Sequence, residues 1–102
     1  HKYWKARIAD YYRKKGCQVE VEKQINGKPD LIVKSGEGTV AVEIETGKSD
    51  PILNIMKNLK HGFPIVITVA TSESAEQSIL VKLRAAQMAQ DPRIRVVSGK
   101  AF

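Results

Sequence analysis

Cysteine is nearly absent: Cys17 is the only one in 102 residues. One thiol makes no intramolecular disulfide and no cysteine-rich zinc site. Placed after Gly16 at the start of an alternating stretch, it reads as a small core residue, and a lone thiol fits a reducing, intracellular (cytoplasmic) setting. Histidine is also scarce, with His1 and His61 alone. His61 stands before Gly62, where a histidine usually closes a helix, so a histidine general base or a zinc site has no support. No apolar run approaches the roughly 18 residues of a membrane-spanning helix, and no signal peptide is read. There is no internal repeat and no low-complexity tract. The chain opens on His1 rather than Met, as expected of a piece of a longer protein with further domains as neighbours or of a chain that has lost leading residues.

With 42% hydrophobic residues, the chain can bury one modest core, so residues 1–102 are expected to form a single domain. Lys and Arg number 17 against 11 Asp and Glu, a net charge of +6 and a pI of 9.6. That excess suits an anionic partner such as nucleic acid. A merely solvated basic surface carries the same signature, so charge alone decides nothing.

Residues 1–15 predict a helix with Trp4, Ile8, Tyr11 and Tyr12 as its apolar stripe and Gly16 as its stop. Residues 17–25 alternate, with Cys17, Val19 and Val21 on one side and Gln18, Glu20 and Glu22 on the other. Asn26-Gly27 is a tight-turn signal. "PDLIVK" and "TVAVEIE" follow as two more strands around the turn "SGEG". Pro51 starts a second helix, capped by Asp50 or Ser49. Ile52, Ile55, Met56 and Leu59 are expected on its core side, and Asn54, Lys57, Asn58 and His61 on the other. "FPIVITVA" reads as a strand covered on both faces. A third helix is expected from about Glu73 to Ala89, capped by Ser72 or Ser74 and stopped by "DPR", before a last strand "IRVVS". Short turns make the first three strands a meander; helical crossovers favour parallel pairing afterwards. The expected fold is αβββαβαβ, a mixed sheet flanked by helices, of α/β (α+β) type.

"VEIETGKS", Val42 to Ser49, carries two competing signals. Its tail looks like the end of a phosphate-binding loop. Such a loop needs a glycine at position 42, where this chain has Val42 inside a strand. Only Thr46 separates that strand from Gly47, too little chain to curl around a triphosphate. The head is the sharper feature. Glu43 and Glu45 point to one face of their strand, opposite Val40, Val42 and Ile44. Asp30, at the start of the preceding antiparallel strand, is expected beside them. Carboxylates gathered at one sheet end repel unless a cation neutralises them, and an oxygen-only set suits Mg²⁺ or Mn²⁺. The plainer reading is a solvent-facing strand face, as at Glu20 and Glu22.

"KPDLIV" followed after a turn by "VAVEIE" resembles the PD-(D/E)XK nucleases, of restriction-endonuclease-like fold. In size and in its "PDL" strand pairing the chain is similar to archaeal Holliday-junction resolvases. The resemblance implies a metal-dependent DNA endonuclease, with Asp30, Glu43 and the backbone carbonyl of Ile44 as metal ligands. The family usually has lysine where this chain has Glu45. Glu45 would then serve as a base or third ligand, in an ExE variant of the motif. Alternatively the lysine has moved, Lys57 being preferred over Lys48. A third option is an inactive domain of the same fold that binds nucleic acid or mediates assembly. Lys5, Lys28, Lys48, Asn54 and Lys60 are the expected DNA contacts, largely to phosphates. Cutting both strands symmetrically would call for a homodimer.

Overall fold

The computed structural model describes residues 2–22 and 28–102. Its elements run α1 (Lys2–Lys14), β1 (Gln18–Val21), β2 (Leu31–Ser35), β3 (Gly38–Glu45), α2 (Pro51–Lys60), β4 (Ile65–Ala70), α3 (Glu73–Ala85) and β5 (Ile94–Ser98), closed by a short 3₁₀ turn over Gly99–Ala101. The expected turn at Asn26-Gly27 and the tail of the first strand, 23–25, lie outside the described residues, as does His1.

The sheet has the order β1-β2-β3-β4-β5. β1–β2 and β2–β3 are antiparallel, while β3–β4 and β4–β5 are parallel. This is the mixed sheet flanked by helices that the element order predicts. Strand alternation assigns the layers. Leu31, Val33, Val42, Ile44, Ile67 and Val69 pack with Ile8 and Ala9 of α1. Ala41, Val66 and Ala70 pack with Ile55 of α2 and Ala75, Ile79 and Leu83 of α3. Because both faces of β3 and β4 are covered, their sequences stay apolar without a solvent-facing side. The exceptions on the α2 face are Glu43, Glu45 and Thr68, all buried.

All three helices end in the same way. The residue after the cap takes a positive φ: Gly16 at 88°, Gly62 at 92° and Gln87 at 58°. The next amide reaches back to a carbonyl one turn earlier, as Cys17 to Tyr12, Phe63 to Asn58 and Met88 to Leu83. α3 therefore stops at Ala85, short of the expected Ala89. "DPR" is not its stop. Met88 folds back against the core that holds Leu83, and the chain reverses at Gln87 to allow it. Glutamine in this left-handed conformation is strained where glycine is not. Gln87→Gly is expected to stabilise the fold by about 0.5–1 kcal/mol, read as a higher midpoint in urea unfolding.

α2 is rotated relative to its expected orientation. Asp50 caps it, accepting hydrogen bonds from the amides of Ile52 and Leu53 at 3.1 and 3.2 Å. Its buried residues are Pro51, Ile55 and Asn58, while Met56 faces solvent at 55% exposure. Asn58 thus takes the inward position expected of Met56. Pro51, Ile55 and Asn58 recur at helical spacing, so burying the first two carries Asn58 inward with them.

Candidate active site

The site forms where β2 begins and β3 ends. Extending the antiparallel register beyond Leu31 and Val42 sets Asp30 beside Glu43. Two hydrogen bonds tie them. The Asp30 amide donates to Glu43 Oε1 at 2.8 Å, and the Ile44 amide donates to Asp30 Oδ2 at 2.8 Å. Glu43 is held by the Asp30 amide and Asp30 by the amide of Ile44, the residue after Glu43, so both are oriented before any ligand arrives. The N–H and C=O of one strand residue face the same neighbour, so the Ile44 carbonyl also points to the β2 side.

Glu43 is buried, and its pKa rises from 4.5 to about 7. Burial is the main cause, and the charges of Asp30 and Glu45 add to it. The hydrogen bond from the Asp30 amide and the nearby amide of Asn58 act the other way. Asn58 Nδ2 does not complete a hydrogen bond, and neither does Thr68 Oγ1. Thr68 stands opposite Glu43 across the β3–β4 pair. Two buried, unpartnered polar atoms therefore share the face of the sheet that carries Glu43.

Glu45 is put to a different use. It is 1% exposed, and both oxygens accept hydrogen bonds: Oε2 from the Ser49 hydroxyl at 2.6 Å and Oε1 from the Asn54 side-chain amide at 3.0 Å. It fastens the end of β3 to the start of α2. The three carboxylates expected to converge do not form one cluster. Among the described residues no group of three or more His, Cys, Asp or Glu side chains is gathered for a metal ion. Asp30 and Glu43 are brought together, with Glu45 set back beneath α2. The solvent-facing reading of this strand also fails, because both glutamates are covered.

The expected basic residues divide. Lys28, Lys48, Lys57 and Lys60 are exposed. Lys28 lies 3.9 Å from Glu22. Asn54, expected as a DNA contact, is engaged with Glu45. Lys5 stands apart from the others: its side chain is 16% exposed and its Nζ lies 3.9 Å from Asp30 Oδ1. Asn58, Thr68 and Ser49 were not singled out from the sequence as parts of this site. Asn58 had a signal, since it follows Pro51 and Ile55 at helical spacing on the inward stripe. Thr68, a polar residue within an otherwise apolar strand, had a weaker one. Ser49 had none beyond its capping propensity.

The side chains that could hold a divalent cation here are Asp30 and Glu43. Adjacent carboxylates, one of them resisting ionisation, gain most from a positive charge between them. Mg²⁺ commonly uses one or two carboxylates and completes its shell with water and substrate phosphate. The donor set of Asp30, Glu43 and the Ile44 carbonyl fits that pattern without a third acid. Among the described residues, no helix is long and apolar enough to cross a membrane. Comparison of the chain with family models, curated proteins and solved structures returns no match.

Proposed function

We propose that this chain is a metal-dependent DNA endonuclease domain, of the kind its resemblance to the PD-(D/E)XK nucleases implies. The observation that carries this reading is the mutual lock of Asp30 and Glu43, each held by main-chain amides at the open end of a mixed sheet. Asp30, Glu43 and the Ile44 carbonyl would hold Mg²⁺ or Mn²⁺. Such a cation, when bound, polarises a phosphate and acidifies water. Hydrolysis joins a water oxygen to phosphorus and breaks one ester P–O bond. The water releases a proton and the leaving oxygen takes one up.

The chain's own residues do the positioning. Main-chain amides fix the two acids, Asn58 favours the charged form of Glu43, and Glu45 secures the helix that carries Asn58. The net charge of +6 and the exposed Lys48, Lys57 and Lys60 support phosphate contacts with little base discrimination.

One observation favours a second reading, a domain that binds DNA without cutting it. Glu45 stands at the usual lysine position, and a carboxylate held by Ser49 and Asn54 brings no positive charge to the reaction. Plasmid nicking with Mg²⁺ separates the two. Asp30→Asn is expected to abolish nicking while leaving DNA binding largely intact. Unaltered nicking by Asp30→Asn would sink the nuclease reading. DNA binding by the parent chain without metal-dependent nicking would favour the second.

A further inference from the structure

We propose that Lys5 is the catalytic lysine of this site, supplied by α1 in place of the one that Glu45 replaces. The inference rests on the nuclease reading above. Lys5 precedes the buried Ile8 and Ala9 by three and four residues, so it lies on the inward stripe of α1. A lysine kept for solubility belongs on the outer faces, as Lys2 and Lys14 are. From the inward stripe its aliphatic stem runs along apolar surface while the ammonium reaches the sheet edge.

The position of that ammonium is well determined. Nζ donates to the Glu22 carbonyl at 2.8 Å, and the Glu22 amide donates to the Asp30 carbonyl at 3.0 Å. The strand end that holds Lys5 is thus pinned to the residue Lys5 faces, leaving Nζ 3.9 Å from Asp30 Oδ1. That separation is near enough for strong attraction in a partly buried setting and too long for a hydrogen bond. A phosphate oxygen drawn to Asp30 and Glu43 by a shared cation would meet this ammonium at the same edge. As a compact charge on a flexible stem with three donors, lysine can turn to it while keeping the Glu22 carbonyl. Lys57, the candidate preferred from sequence, is exposed on α2, whereas Asn54 holds Glu45 and Asn58 is buried.

The test compares Lys5→Met, Lys5→Gln, Lys5→Arg and Lys57→Ala with Asp30→Asn, by plasmid nicking in Mg²⁺ and by calorimetric titration with Mn²⁺ alone. Lys5→Met and Lys5→Gln are expected to slow nicking by about a hundredfold or more, with partial rescue by Lys5→Arg. Lys57→Ala, which removes one phosphate contact, should slow nicking far less than either neutral Lys5 variant. Removing the ammonium also removes a charge that repels the incoming cation, so both neutral variants should bind Mn²⁺ more tightly. A lysine whose ammonium lies away from the cation site would leave Mn²⁺ affinity unmoved, so this titration reports the position of the charge and the nicking rate reports its role. Lys5→Gln keeps a donor for the Glu22 carbonyl and guards against loss of folding. Near-parent nicking by the neutral variants, or unchanged or weaker Mn²⁺ binding, overturns the assignment. If Asp30→Asn is inactive while Lys5→Gln cuts normally, only the role of Lys5 falls. If Asp30→Asn cuts normally, the nuclease reading falls with it.

Discussion

Glu43→Gln is expected to make the domain about 3 kcal/mol more stable than the parent at pH 8 and to leave it nearly unchanged at pH 4. The cause is the rise of the Glu43 pKa from 4.5 to about 7. Between those values the folded chain keeps a proton that the unfolded chain has released. Raising the pH through that window therefore favours unfolding, and the stability present below the unfolded value is lost as pH passes the folded one. Glutamine keeps the acceptor that the Asp30 amide uses but carries no charge to bury. Urea unfolding of both chains at several pH values measures the difference. Parallel stability curves across this window would show that Glu43 ionises as freely in the fold as outside it. Mg²⁺ supplies a second reading of the same experiment. On the nuclease proposal it should recover part of the parent's lost stability at pH 8, because a ligand that binds only the folded chain stabilises it. It should do much less for Glu43→Gln.

The second large effect is expected at Gly99, where the limit is space. A Cβ there would stand 2.5 Å from Cη2 and 2.7 Å from Cζ3 of Trp4, and 3.2 Å from the Ala70 carbonyl oxygen. The glycine is buried at the end of β5, so the indole of α1 lies directly on main chain. Gly99→Ala should cost about 1–3 kcal/mol through overpacking, seen as a lower melting temperature. The backbone oxygen cannot retreat, so the ring must move. Trp4→Leu in the Gly99→Ala background should recover part of the loss, since the smaller side chain vacates the contested volume. Additive losses in that double variant would place the cost elsewhere than in this contact. Trp4 also precedes Lys5, so a displaced ring shifts the start of the helix that aims Lys5 at Asp30. On the assignment made above, Gly99→Ala should lower nicking as well as stability.

Pattern and turn chemistry carried most of the fold. The period of two in β1, the short turn before β3, the Asp50-Pro51 helix start and the doubly covered β4 all depend on neighbours in sequence. That is why the element order and the mixed sheet were legible. The pairing of Asp30 with Glu43 was legible too, because a strand that ends beside the start of its antiparallel partner leaves little choice of neighbour. The end of α3 was not. Gln87 adopts a glycine-like conformation because Met88 gains a place against the core, and that gain is tertiary.

The same division runs through the site. The sequence by itself determined that Asp30 and Glu43 meet at one sheet end, though it set Glu45 with them, that β3 carries its acids opposite its apolar residues, and that Glu45 stands where the nucleases this chain resembles have a basic residue. Only the tertiary structure decided how each group is used. Burial under α2 requires Glu45 to find donors, and Ser49 and Asn54 supply them, which removes it from the acid pair. The packing of Pro51 and Ile55 turns Asn58 inward and Met56 outward. Lys5 reads as a phosphate contact on α1 until α1 is laid on the sheet. The packing of Ile8 and Ala9 then directs its ammonium to Asp30, across a separation in sequence that no local pattern spans.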